Sequence, residues 1–128
     1  MEKHIHRMNY EEFNKFCKSL TATTYVTQWG NSHVWKVGGK VFAIGGWENS
    51  NQPAFTFKTS KLNFEILSDQ SGFRPAPYMA SRGMKWIQQY DTSESTDEDL
   101  KYYLQESHRI VSSGISKKKQ KELGLIQA

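Results

Sequence analysis

The chain has 128 residues, 37% of them hydrophobic, with seven Phe, six Tyr, four Trp and a formal net charge of +4. That size fits one domain, residues 1–128 with a core over about 8–123, able to hide roughly two-thirds of its unfolded surface. Its only cysteine, Cys17, excludes an intramolecular disulfide, no apolar run approaches the roughly 20 residues that span a bilayer, and the charged start Met1–Arg7 lacks the apolar stretch of a signal peptide; a cytoplasmic monomer is the expectation.

Residues 9–20 predict a helix. Asn9 is a good N-cap, Glu12 follows at capping-box spacing, and Met8 and Phe13 take the staple positions. Phe13, Phe16, Cys17 and Leu20 repeat at i, i+3, i+4, i+7, which puts Cys17 on the buried stripe as a small core hydrophobe. From Thr24 the residues turn β-branched and aromatic, and Thr24–Trp29 reads as a strand before a turn at Gly30–Ser32.

His33–Gly46 holds two strands around Gly38-Gly39, a two-residue loop that favours a type I′ turn. That register pairs Val37 with Lys40, Lys36 with Val41 and Trp35 with Phe42. It places Trp35, Phe42 and Ile44 on the core face and Lys36 and Val41 on the other. Residues 46–53 form a polar turn cluster, and Ala54–Lys58 is a further strand.

Ser60 caps a short helix through Ser68, with Gly72 suited to its αL exit. Prolines at 75 and 77 argue against regular structure in Phe73–Tyr78, and Met84–Gln88 is a last strand. Thr96 begins the longest helix, with Asp97, Glu98 and Asp99 in the first turn, where the helix dipole favours acids. Leu100, Tyr103, Leu104, Ser107 and Val111 form its stripe, and Gly114 ends it. Ser116 caps a final Lys-rich helix that stops at Gly124. The order is helix, four-stranded antiparallel meander, helix, strand, then one or two helices. It predicts an α+β two-layer sandwich with the helices packed on one face of an antiparallel sheet.

Four stretches together resemble a known family: Trp35–Ala43 (WKVGGKVFA), Phe57-Lys58, Arg74–Met79 through Trp86-Ile87, and Asp99-Leu100 through Ser107–Val111. Over about residues 10–123 the chain is similar to the MmcQ/YjbR-like proteins, small and bacterial. The resemblance implies a CyaY-like fold related to that of frataxin, and DNA binding through two hairpin-like wings. Where some members carry Pro-Gly-Tyr-His-x-Asn-Lys before the Trp, this chain has Pro77–Gly83 without that His and Asn. Roles that depend on those two side chains do not carry over.

His4, His6, His33 and His108 are scattered and make no set at the spacings of a metal site, so no metal and no cofactor is expected. No base is placed to activate Cys17. Gly38-Gly39 and Gly45-Gly46 lie in hairpins rather than ahead of a helix, so they are not phosphate loops. A non-enzymatic binding module is expected.

Five acids and no base fall in 91–99, which leaves 17 basic and 8 acidic residues, or +9, on the rest of the chain. Lys36, Lys40, Lys58, Lys61, Arg74, Arg82 and Lys85 flank the sheet, and Lys117, Lys118 and Lys119 sit in the last helix. Lysines around a hairpin suit phosphates, and Trp47 and Tyr78, in nearby turns, suit stacking or wedging. These residues predict weak, sequence-tolerant binding of duplex DNA. The bland reading is a solvated edge in which lysines discourage aggregation. The alternative is a protein- or small-ligand-binding module that uses an exposed aromatic face of the sheet, with Trp29, Trp35, Trp47, Phe55, Phe57 and Trp86 as its rings.

Overall fold

A computed structural model describes residues 7–46, 53–79, 82–91 and 96–126. In chain order the elements are α1 (Tyr10–Ser19), β1 (Thr23–Gln28), β2 (Ser32–Val37), β3 (Lys40–Gly45), β4 (Phe55–Lys58), α2 (Lys61–Ser68), β5 (Phe73–Pro75), β6 (Trp86–Gln89), α3 (Asp97–Ser113) and α4 (Lys117–Glu122). The strands form one antiparallel sheet in the order β1-β2-β3-β4-β6-β5.

Each helix begins where its cap dictates. Asn9 Oδ1 accepts from Glu12 N at 2.8 Å while Glu12 Oε1 accepts from Asn9 N at 3.1 Å, closing the capping box. Thr96 and Asp99 repeat the device on α3, and Ser60 and Ser116 cap α2 and α4.

Helices α1, α2 and α3 send Phe13, Cys17, Leu67, Leu100, Leu104 and Val111 into one buried cluster with Trp35, Val37, Phe42, Ala43, Phe55, Phe57 and Ile87. Three helices therefore cover the same face of the sheet. Each fully buried Phe or Leu in that layer contributes roughly 1.5–3 kcal/mol of transfer free energy.

The β2–β3 hairpin departs from the regular register. Val37 does pair with Lys40 and Lys36 with Val41, but Trp35 pairs with Ala43, not Phe42, because a bulge falls between Trp35 and Lys36. Phe42 is the extra residue, and both it and Ala43 join the core cluster. Beyond the bulge the alternation is shifted by one, so Ile44 pairs with Val34 and Thr56 on the face away from the helices. A row of partners crosses the whole sheet on that face: Val26, Val34, Ile44, Thr56, Gln88 and Arg74.

The buried Gln88 in this row is satisfied from both sides. Its Oε1 accepts from Arg74 Nε (2.9 Å) and Nη2 (2.6 Å), and its Nε2 donates to Thr56 Oγ1 at 3.3 Å.

The bulge also ends the β3–β4 ladder early. There the buried Ser107 of α3 inserts its hydroxyl, donating to the Phe42 carbonyl at 2.6 Å and accepting from Lys58 N at 2.8 Å. One side chain thus satisfies two backbone groups that the pairing leaves over.

Two further departures concern Phe73–Tyr78. Phe73–Pro75 is a strand despite its proline, because β5 is an edge, where a missing N–H breaks no ladder. It lies outside β6, so the chain passes over the position next to β4 and returns to fill it. Gly72, with φ 88°, closes the turn after α2, whose own C-cap is Asp69.

Candidate nucleic-acid interface

The strand directions sort the charges by end. The Gly38-Gly39 turn defines one end of the sheet, called the tip end below. β3 runs away from it, β4 returns to it at Lys58, and β6 starts there, since Trp86 pairs with Lys58. Pro75 pairs with Ile87, so the connection from β5 to β6, which carries Tyr78, Arg82 and Lys85, lies at the same end.

The C-terminal part of α3 also reaches this end. Ser107 touches Phe42 and Lys58, and Lys40 Nζ donates to the Gly114 carbonyl at 3.3 Å. A cation at a helix C-terminus is favoured by the dipole there. α4 follows directly. A Cβ added to Gly38 would collide with Ile115 and stand 3.5 Å from Leu123, so the residues that flank α4 on both sides touch the hairpin turn.

The first turns of α1 (Glu11, Glu12) and α3 (Asp97, Glu98, Asp99) point to the far end. Met8 N donates to Asp97 at 2.8 Å, and Tyr10 beside Gly45 accepts from Ala54 N at 3.1 Å.

Lys36, Lys40, Lys58, Lys61, Arg82, Lys85, Lys117, Lys118 and Lys119 therefore gather at the tip end. Asp91, which follows β6, and Asp97 of α3 lie at the opposite one, both near Arg7. Lys36 and Lys58 are half-buried on the face away from the helices, while Lys61, Arg82 and the three α4 lysines are exposed. Lys85 is exposed with its ammonium 4.9 Å from the centre of the Phe64 ring.

Tyr78 sits in the β5–β6 connection, 71% exposed and at φ 68°, beside Met79, Arg82 and Met84 around a hollow of about 320 Å³. Arg74 stands apart from the set. Its guanidinium is bound to Gln88 and stacked 5.0 Å from the Tyr90 ring centre. Trp47 lies outside the described residues.

The remaining rings separate by burial. Trp35, Phe55, Phe57 and Trp86 are 5% exposed or less, so they fill the interior rather than an open face, and Trp29 is exposed. Cys17 is buried in the core, and loss of hydration there pushes its thiol well up from its ordinary value. His33 Nδ1 lies 2.8 Å from the Tyr25 hydroxyl, and His108 Nε2 donates to the Thr21 carbonyl at 2.7 Å. Among the described residues no three His, Cys, Asp or Glu side chains converge as metal ligands. Among the same residues no helix is long and apolar enough to cross a membrane.

A further hollow is lined by residues that carry no motif of their own. Asn14, Lys15, Lys18, Thr23, Tyr25 and Trp35 line a groove of about 620 Å³ beside edge strand β1. Its signal in the sequence was the absence of any charge or proline in Thr23–Gln28.

A model of the YjbR family matches residues 18–110, well over half of the chain. The chain belongs to the YjbR family. The match runs from Lys18, near the end of α1, to Ile110 in α3, so the YjbR region takes in the whole sheet and leaves α4 outside. The fold is similar to the crystal structure of Deinococcus radiodurans protein DR2400, which carries the DUF419 domain. The TM-score is 0.79 at 19% identity, over 93% of this YjbR chain and 90% of that one. No curated protein matches the sequence significantly.

Proposed function

We propose that the chain is a non-enzymatic, intracellular binding protein that holds duplex DNA at the tip end, weakly and with little regard to sequence. The observation that carries this reading is the excess of cations at one end, where the acids Glu106 and Glu122 are outnumbered. Nine cations from β2, β3, β4, α2, the β5–β6 connection and α4 converge there, while the acidic helix starts face away. A duplex presents one negative charge for about every 1.7 Å of axis, so a surface of dispersed lysines suits its backbone.

The hairpin turn and the β5–β6 connection would straddle the duplex, with phosphate contacts setting register and Tyr78 reaching toward the stack. Arg74 is no part of this surface. Few side chains at the tip end suit a bidentate contact to a base edge, which is why discrimination between sequences is expected to be small.

Amide shift mapping with a mixed-sequence duplex tests the placement. Shifts should concentrate at Lys36–Lys40, at 82–85 and in α4, and leave the first turn of α3 unmoved. Shifts centred on the acidic end, or on the far half of β1 at Val26–Gln28, would refute the placement.

A further inference from the structure

We propose that the outer edge of β1 takes an acidic, extended peptide as a seventh strand, on the helix side of the sheet, whereas Lys36, the tip-end cation paired with Thr24 of β1, lies on the opposite face. Three observations carry it. The two sheet edges are treated differently. β5 is three residues long, contains Pro75 and packs against α2, all of which blunt pairing. β1 is six residues long (TTYVTQ), with no charge, no proline and no glycine, and among the described residues it pairs only with β2. Its outward N–H and C=O groups are a template for another strand.

The groove lies on the helix side of that edge, where alternate side chains of an added strand would point. Its floor is held in place. Trp35 Nε1 donates to Asn14 Oδ1 at 2.9 Å, which turns Asn14 Nδ2 to His33 Nδ1 at 3.3 Å, and the Tyr25 hydroxyl meets that nitrogen at 2.8 Å. The Tyr25 and Trp35 rings are 5.1 Å apart. Little ordering is left to be done on binding.

Charge selects the occupant. Lys15 and Lys18 are exposed on the groove wall and among the described residues no carboxylate lines it, so the complementary ligand carries acids on every second residue. A second copy paired through β1 fits less well. Antiparallel extension of one sheet would set both α1 helices on the same side, with Lys15 and Lys18 of each copy facing those of the other.

The probe is a capped octapeptide of alternating valine and glutamate, titrated into the full chain, with amide hydrogen exchange as the second readout. Binding should slow exchange at alternate amides of Thr23–Gln28. K15E/K18E should weaken it at least about tenfold, a loss of roughly 1.4 kcal/mol. The K117E/K118E variant, which bears on the tip end alone, should bind the peptide as the parent does.

No binding at about 1 mM peptide, equivalent to less than about 4 kcal/mol of binding free energy, would overturn the proposal. So would binding that leaves β1 exchange unchanged, or equal binding of a valine–lysine peptide. Concentration-dependent self-association that protects β1 without peptide would overturn the choice of occupant.

Discussion

Ser107 Oγ donates to the Phe42 carbonyl at 2.6 Å, and so a helix side chain closes a gap in the sheet. The same oxygen accepts from Lys58 N, so truncation strands two backbone groups at once. Ser107→Ala should cost about 1–3 kcal/mol, the range for buried unsatisfied groups. Urea unfolding of the variant measures it. An unchanged midpoint would mean that the bulge needs no such closure.

The two glycines of the hairpin turn should differ. Both have positive φ, 58° at Gly38 and 81° at Gly39, and each loses roughly 1–2 kcal/mol to a side chain in the left-handed region. Gly38 meets Ile115 as well, whereas none of the described residues stands within 4 Å of a Cβ at Gly39. Thermal unfolding should therefore rank Gly38→Ala well below Gly39→Ala in stability, by about 1–3 kcal/mol of overpacking. Equal losses would contradict the contact between the turn and the α4 region.

Cys17 should resist thiol reagents in the native protein. It is fully buried, and desolvation raises its thiol pKa, so thiolate is scarce and access is closed. Labelling should appear only as the chain is unfolded with denaturant. Native-state labelling at the rate of a free thiol would show that α1 opens.

Glu106 accepts two hydrogen bonds from Arg109, at 2.9 and 3.1 Å, and the donor hydrogen bonds hold its carboxyl below the ordinary range. A lowered folded-state value means that the pair stabilises above the unfolded carboxyl's pKa of about 4.3 and loses that contribution as pH falls through the folded value. Arg109 is exposed and Glu106 half-buried, and for such a surface pair within one helix the contribution is roughly 0.3–0.5 kcal/mol. Arg109→Ala should lower stability by that amount at pH 7 and by nothing in strong acid. A loss that persists at low pH would assign the effect to packing instead.

Local chemistry made much of the fold legible. Asn9 and Glu12, Ser60, Thr96 and Gly38-Gly39 each state their role within four residues, and each element they bound is where the sequence places it. The bulge at Phe42 was not legible, because two adjacent apolar residues look the same in a regular strand, and the flip of Ile44 followed from it. β5 was hidden by Pro75, a residue that a strand tolerates only at an edge, and edges are known only once the sheet is assembled.

Nine of the ten basic candidates came together because strand direction puts them at one end. Arg74 did not, since its partner is Gln88, fourteen residues away in sequence. The β1 groove needed α1 and β2 side by side, which no single segment encodes.

The salt dependence of duplex binding bears most directly on the central claim. With a mixed-sequence duplex at about 50 mM salt, the parent chain should bind at least as tightly as the non-specific range of about 10⁻⁴ to 10⁻⁶ M that holds at physiological salt, and log K should fall linearly with log salt at about −0.9 per phosphate contact. Each Lys→Ala at 36, 58, 117, 118 or 119 should weaken binding to all sequences alike and reduce that slope by about one. Absence of binding up to roughly 100 μM at that salt, or binding whose slope ignores these lysines, would contradict the account.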